Sequence, residues 1–205
     1  MAFELLVIVV SYLLGSVSFS VLLARLLKGI DIRQYGSGNA GATNTLRVMG
    51  KGPAILVLVL DVLKGIAAVW LGTWAGGWGG WVAVACGIAA IIGHNWPLYF
   101  HFRGGKGIAT TIGVMATLCF WPALTAGIIA ILAIVFTRYV SLGSLIFVAL
   151  TPVFLLFTGF TAPELWGSLI IAVFAFWRHR SNIVKISQGR ENKIGSKVKE
   201  GNRVV

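Results

Sequence analysis

From residue 36 to 47 the chain reads Gly36-Ser37-Gly38-Asn39-Ala40-Gly41-Ala42-Thr43-Asn44-Thr45-Leu46-Arg47. Three glycines in six residues let a backbone take positive φ and turn successive N–H groups toward one point. That is the geometry of an anion-binding nest. Ser37, Asn39, Thr43 and Asn44 add short side-chain donors, and Arg47 closes the run with a planar fork that matches phosphate or carboxylate. A flexible connector would account for the glycines but not for donors at nearly every other position. The run is read as an anion site.

A second polar stretch repeats the design. It opens with His94-Asn95-Trp96-Pro97 and ends in Arg103-Gly104-Gly105-Lys106-Gly107, placing two cations around a glycine turn ahead of an apolar helix. A helix N-terminus flanked by a lysine attracts anions. The spacing is not that of a Walker A loop, because no Ser or Thr follows the lysine. The alternative is a basic anchor at a membrane surface. His94 and His101 flank this stretch; the first is a candidate to line the site. His179, in Arg178-His179-Arg180-Ser181-Asn182, has cations on both sides, which lower a histidine's pKa and keep it neutral. Ser144, in Arg138-Tyr139-Val140-Ser141-Leu142-Gly143-Ser144, has by residue type the look of a cap or packing residue. Asp61 and Lys64 are three apart, a spacing that lets them pair across one helical turn, with a proton path as the alternative. Cys86 and Cys119 lack metal-ligand spacing, and no metal or cofactor is expected.

What must position these groups is a membrane bundle. The chain is 58% hydrophobic and 11% charged, with mean hydropathy +0.90, more apolar surface than a soluble core of 205 residues can absorb. Apolar spans are read at about 3–27, 53–74, 81–93, 141–158 and 165–177. The long run 108–137 is read as two short helices hinged at Trp121-Pro122. Charge decides that division. With seven spans, Arg25, Lys28, Arg33, Arg47, Lys51, Arg103, Lys106, Arg138 and the basic tail share one side, as the positive-inside bias requires. The expected fold is therefore all-α, seven transmembrane helices, N-terminus outside and C-terminus cytoplasmic. Residues 1–191 form one domain, and 192–205 form a basic disordered tail lying on anionic lipid. The net charge of +11 is explained by this bias, and no nucleic-acid partner is inferred. Nothing in the sequence sets an oligomeric state.

Taken together, Gly36–Asn44 with Arg47, Gly93-His94…Pro97…Gly104-Gly105-Lys106-Gly107, and Arg178-His179-Arg180…Asn182…Gly189-Arg190-Glu191 resemble the three cytoplasmic motifs of the PlsY family, the bacterial acyl-phosphate:glycerol-3-phosphate acyltransferases. Asp61-Val62-Leu63-Lys64-Gly65 and the Arg138–Ser144 run are similar to that family too, and the likeness extends from Tyr12 to Glu191. The resemblance implies a seven-helix inner-membrane enzyme with its site on the cytoplasmic side. It implies that Ser37, Arg47, Lys106, Ser144, His179 and Asn182 form the catalytic site. Gly38, Asn39, Gly41, Thr43, Asn44, His94, Gly104, Gly105 and Gly107 would bind substrate, with the second motif's glycines cradling a phosphate and Glu191 holding the tail.

The reaction so implied moves a fatty acyl group from acyl phosphate to the 1-hydroxyl of glycerol 3-phosphate, giving lysophosphatidic acid and phosphate. Both substrates bring phosphate, and the sequence offers two glycine-and-cation loops. Ser37, Arg47 and Lys106 are candidates to stabilise the developing oxyanion and departing phosphate; the proton goes to His179 or to a substrate phosphate. A transporter of phosphorylated metabolites or anions is the rival reading. It would distribute charge along several helices and show an internal repeat. A lipid-binding scaffold is the other, and it leaves the glycine loops without a purpose.

Overall fold

The computed structural model describes residues 1–195. Among them the elements are helices, with no β-strand. α1 (Ala2–Gly15) and α2 (Phe19–Lys28) form a broken first rod. A short 3-10 turn (Ile32–Gln34) leads to α3 (Ala42–Met49), which packs beside α4 (Lys51–Gly76). α5 (Trp81–Asn95), a turn at Leu98–Phe100, α6 (Ile108–Leu118), α7 (Phe120–Thr137), α8 (Val140–Thr158), α9 (Ala162–Arg178) and α10 (Arg180–Ser187) follow. Among the described residues five stretches are long and apolar enough to cross a membrane: Ala2–Lys28, Lys51–Gly76, Trp81–Phe100, Phe120–Thr137 and Val140–Thr158.

Two expectations about helix boundaries are revised. The first rod is not one continuous helix. It breaks at Ser16-Val17-Ser18, where Ser18 is extended (φ −91°, ψ 94°). The break frees the Val17 carbonyl, which accepts a hydrogen bond from the Lys64 ammonium at 2.8 Å; in an apolar setting a released backbone group needs such a partner. The 108–137 run does divide in two, but at Cys119 (φ −143°, ψ 73°) and not at Trp121-Pro122. Pro122 instead occupies the first turn of α7, where a missing N–H costs nothing. The halves are therefore unequal, 11 and 18 residues.

Small residues set the packing. A Cβ at Gly15 would fall 2.1 Å from the Ala90 carbonyl oxygen, and one at Gly93 2.2 Å from that of Tyr12, so α1 and α5 touch backbone to backbone. Gly65 and Gly113 do the same for α4 and α6. Such approaches replace hydrophobic collapse as the source of cohesion between membrane helices. α7 pairs with α8, while α4 packs on α5 and α6. The space between these two groups is a groove. At α9 the sequence spells a capping box, Thr161 with Glu164, and both of its hydrogen bonds are present.

Candidate active site

Asn44 organises the first loop. Its side-chain amide donates to the carbonyls of Ile32 (3.1 Å) and Tyr35 (3.0 Å), and its Oδ1 accepts from the Ser37 N–H at 2.8 Å. The loop wraps around this buried amide because Gly36 and Gly38 take φ of 64° and 71°. Gly41 does not; it is extended (φ −173°) as the residue before α3. The nest expected from the glycines is thus largely spent internally. Gly38 N–H donates to Tyr35 and Gly41 N–H to Asn39. Glycine supplies the turn, and what the loop presents outward are the Ser37, Asn39 and Thr43 side chains and the Arg47 guanidinium.

The second loop is fixed from behind. Gly105 N–H donates to the His94 carbonyl (3.1 Å), and Gly105 oxygen accepts from Arg178 Nη2 (2.6 Å). A Cβ on Gly105 would fall 2.2 Å from His94 Nε2 and 2.4 Å from the Ala40 oxygen; one on Gly104 would meet the His94 oxygen at 2.0 Å. These glycines exist so that the two loops and α5 can touch. Gly107 starts α6 with φ 81° against the Asn95 side chain. His94 itself belongs to a buried group. Lys64 Nζ contacts Asp61 Oδ1 at 2.8 Å and donates to His94 Nδ1 at 3.0 Å, and His94 Nδ1 is 3.5 Å from Asp61 Oδ1. An ammonium can only donate, so the His94 proton rests on Nε2, facing Gly105. The pairing of Asp61 with Lys64 read from their spacing is present, with His94 as its third member.

Lys106 projects from this loop to Asn182 Oδ1, with which it makes a short hydrogen bond. Asn182 Nδ2 donates to Glu191 Oε1 (2.8 Å), which also accepts from Ser141 Oγ (2.9 Å). Burial pushes the Lys106 pKa down to about 8. Glu191 pulls it up, while Arg178, Lys185 and Arg47 push it further down. His179 is buried and held at about 4, by desolvation first and then by the Lys106 charge. Its neighbour Arg178, named by the sequence reading, is a smaller contributor. His179 Nδ1–H donates to the Ala175 carbonyl at 2.8 Å, which leaves Nε2 as a bare acceptor. Arg47 Nε is buried without a hydrogen-bond partner, and its Nη2 reaches the Asn192 carbonyl at 3.4 Å.

These groups surround one end of a cavity of about 980 Å³. Ser37, Gly38, Asn39, Gly41, Thr43, Asn44, Arg47, His94, Gly104, Lys106, Ser144, His179 and Asn182, all singled out from sequence, reach its wall. Gly105 and Gly107 stand behind that wall, among the contacts just described. Ser144 Oγ is engaged with the Val140 carbonyl (2.9 Å). Arg103 and His101 line a separate shallow recess with Arg33, so the second loop brings one cation to the cavity, not two. Sequence reasoning undervalued Arg178, Lys185 and Ser141, which also reach the wall; the repeat of basic residues around His179 was the available signal. The other end of the cavity is apolar, bounded by Leu58 of α4, Ile112 and Ala116 of α6, Leu124 and Ile131 of α7, and Phe147 of α8. Residues 192–195, assigned to the disordered tail, are docked: Ile194 N–H donates to the Arg138 carbonyl, and Arg138 Nη2 to that of Ile194. The rest of that tail lies outside the described residues.

Known proteins resemble this chain in sequence and in fold. The glycerol-3-phosphate acyltransferase family model matches residues 5–189. The glycerol-3-phosphate acyltransferase of Halalkalibacterium halodurans is 56% identical over 94% of this chain and 96% of its own. That of Shouchella clausii is 56% identical over 91% and 93%. The crystal structure of PlsY (YgiH), an integral membrane glycerol 3-phosphate acyltransferase, in its glycerol 3-phosphate form superposes with a TM-score of 0.89 at 37% identity, covering 94% of this chain and 96% of that one. Its lysophosphatidic acid form gives 0.87 at 36% identity, covering 94% and 95%. A family-model match, relatives of high identity and a superposition that all run nearly end to end agree: this chain belongs to the glycerol-3-phosphate acyltransferase, or PlsY, family.

Proposed function

We propose that this membrane acyltransferase takes its acyl group from acyl phosphate and passes it to the 1-hydroxyl of glycerol 3-phosphate. The observation that carries this reading is the continuity of one cavity, cationic at one end and apolar at the other. Arg47, Lys106 and Arg178 suit the phosphates, and the groove suits a fatty chain entering from the bilayer. The hydroxyl oxygen attacks the acyl carbonyl, the acyl carbon–oxygen bond to phosphate breaks, and lysophosphatidic acid and inorganic phosphate leave. The mixed anhydride is already activated, so orientation and electrostatic stabilisation do most of the work. Arg47, Lys106 and Ser37 serve the developing negative charge.

His179 Nε2 accepts the substrate hydroxyl's hydrogen bond and orients it. With a pKa near 4, His179 is a weaker base than a phosphate monoester, whose second pKa is about 6. The proton therefore goes to phosphate. Asn182 and Glu191 hold Lys106 in place, and Glu191 ties α10 to Ser141 of α8.

The same reading extends to topology. Counting α6 and α9 as spans, with α1 and α2 as one, gives seven. The N-terminus is then outside the inner membrane, and the site and C-terminus face the cytoplasm. Residues 1–191 make one domain. Support comes from the collection of basic side chains at the loops after α2, α5 and α7 and beyond α9. The test is phosphate release from acyl phosphate by purified protein. Release that requires glycerol 3-phosphate is expected; anion uptake into vesicles without acyl transfer would favour the transporter.

A further inference from the structure

Membrane helices use glycine where backbones touch. In this protein that use is plain at Gly65 and Gly113, where an added Cβ would lie 2.3 and 2.1 Å from a backbone oxygen, while at Gly87, Gly143 and Gly167 it would lie 2.3–2.6 Å from a neighbouring side chain. Gly127, inside α7, is different. Its nearest neighbour would be Phe147 Cε2 at 4.0 Å, and it is not among the positive-φ glycines. Neither packing nor backbone geometry asks for a residue that weakens a helix. What Gly127 does is line the apolar arm of the cavity, opposite α6 and beside Phe147.

The geometry points to Gly127 as the residue that sets how long an acyl chain the groove accepts, an inference that rests on the acyl-transfer reading above. α7 returns from Phe120 to the polar end at Thr137. Gly127 stands ten residues short of that end, about 15 Å at 1.5 Å per residue. That is the depth of one leaflet of a roughly 30 Å hydrocarbon core. A long chain must pass over Gly127 toward Ala116, Ala123 and Phe120, all on the cavity wall. A short chain ends above it. A side chain grown at 127 has room for its Cβ, and its further atoms would enter the passage.

The experiment gives purified wild type, Gly127→Ala and Gly127→Leu the octanoyl, lauroyl and palmitoyl phosphates with glycerol 3-phosphate. Ile129→Phe, on α7 but off the cavity wall, is the control. Gly127→Leu is expected to lower kcat/KM for palmitoyl relative to octanoyl phosphate by about tenfold, what the loss of roughly two buried methylenes amounts to. Gly127→Ala should fall between, and Ile129→Phe should keep the wild-type profile. The KM for glycerol 3-phosphate, measured with the octanoyl donor, should not change in any of them. An unaltered donor profile in folded Gly127→Leu, or an equal loss with all three donors, overturns the inference. No turnover of any acyl phosphate by wild type overturns instead the reading on which it rests.

Discussion

Lys106 is where charge and burial meet, at the end of the cavity proposed to hold phosphate. Its pKa of about 8 lies below that of a free lysine because desolvation and three cations outweigh Glu191. It is protonated below that value and loses its charge above it. In the proposed site the protonated form is the one that would bind phosphate, so kcat/KM for glycerol 3-phosphate should fall as pH rises through about 8. Lys106→Arg, which stays charged, should shift that limb upward while lowering the maximal rate; an unmoved limb would assign it to another group. Lys106→Ala should cost about 1.5–3 kcal/mol of transition-state stabilisation, as for a lost charged hydrogen bond, read as roughly ten- to hundredfold in kcat/KM. Gly105→Ala should act differently. Its Cβ would strike the Ala40 oxygen and His94, so the KM for glycerol 3-phosphate should rise more than kcat falls. The cations were legible in the sequence as residue types. Which of them face the cavity was not, because Arg103 and Lys106 are like charges three residues apart, and only the folded loop sends the first to the recess with Arg33 and the second to Asn182.

At the scale of elements, the Asp61–Lys64–His94 group joins α4, α5 and the break between α1 and α2. A buried pair is costly to break by halves. Asp61→Asn leaves a buried ammonium without its counter-ion and should destabilise by about 3–5 kcal/mol. Asp61→Leu combined with Lys64→Met should recover much of that, seen in thermal unfolding of detergent-solubilised protein. Equal losses for single and double variants would show that the charges are not coupled. The spacing of Asp61 and Lys64 announced this pair. The helix break that completes it was hidden, since Ser16-Val17-Ser18 contains no glycine or proline and the freed carbonyl finds its partner, Lys64, 47 residues away. Pro122 misled in the opposite direction. Proline marks helix starts as well as hinges, and here the break precedes it at Cys119.

For the whole molecule, periodicity was uninformative and charge was the guide. Long apolar runs identify spans but not whether 108–137 divides; the one-sidedness of lysine and arginine called for a division, which the structure places at Cys119 and not at the expected Trp121-Pro122. Cysteines placed at Phe160 and Gln188, in a background lacking Cys86 and Cys119, should label from opposite sides of the membrane; labelling from one side would contradict seven spans. The helix packing that separates α4 and α6 from the α7–α8 pair, and so opens a groove, is set by close approaches such as Gly65 to Thr110 that no linear pattern reveals. The central claim is that this groove and its cationic end serve acyl phosphate. Acyltransferases that use coenzyme A commonly carry a histidine with an aspartate five positions later; after His94, His101 and His179 stand Tyr99, Lys106 and Val184. The direct measurement supplies purified protein with palmitoyl phosphate or palmitoyl-coenzyme A at matched concentration, with glycerol 3-phosphate, and follows lysophosphatidic acid. The account predicts turnover with the phosphate donor and none above background with the thioester. Comparable rates with both would contradict it.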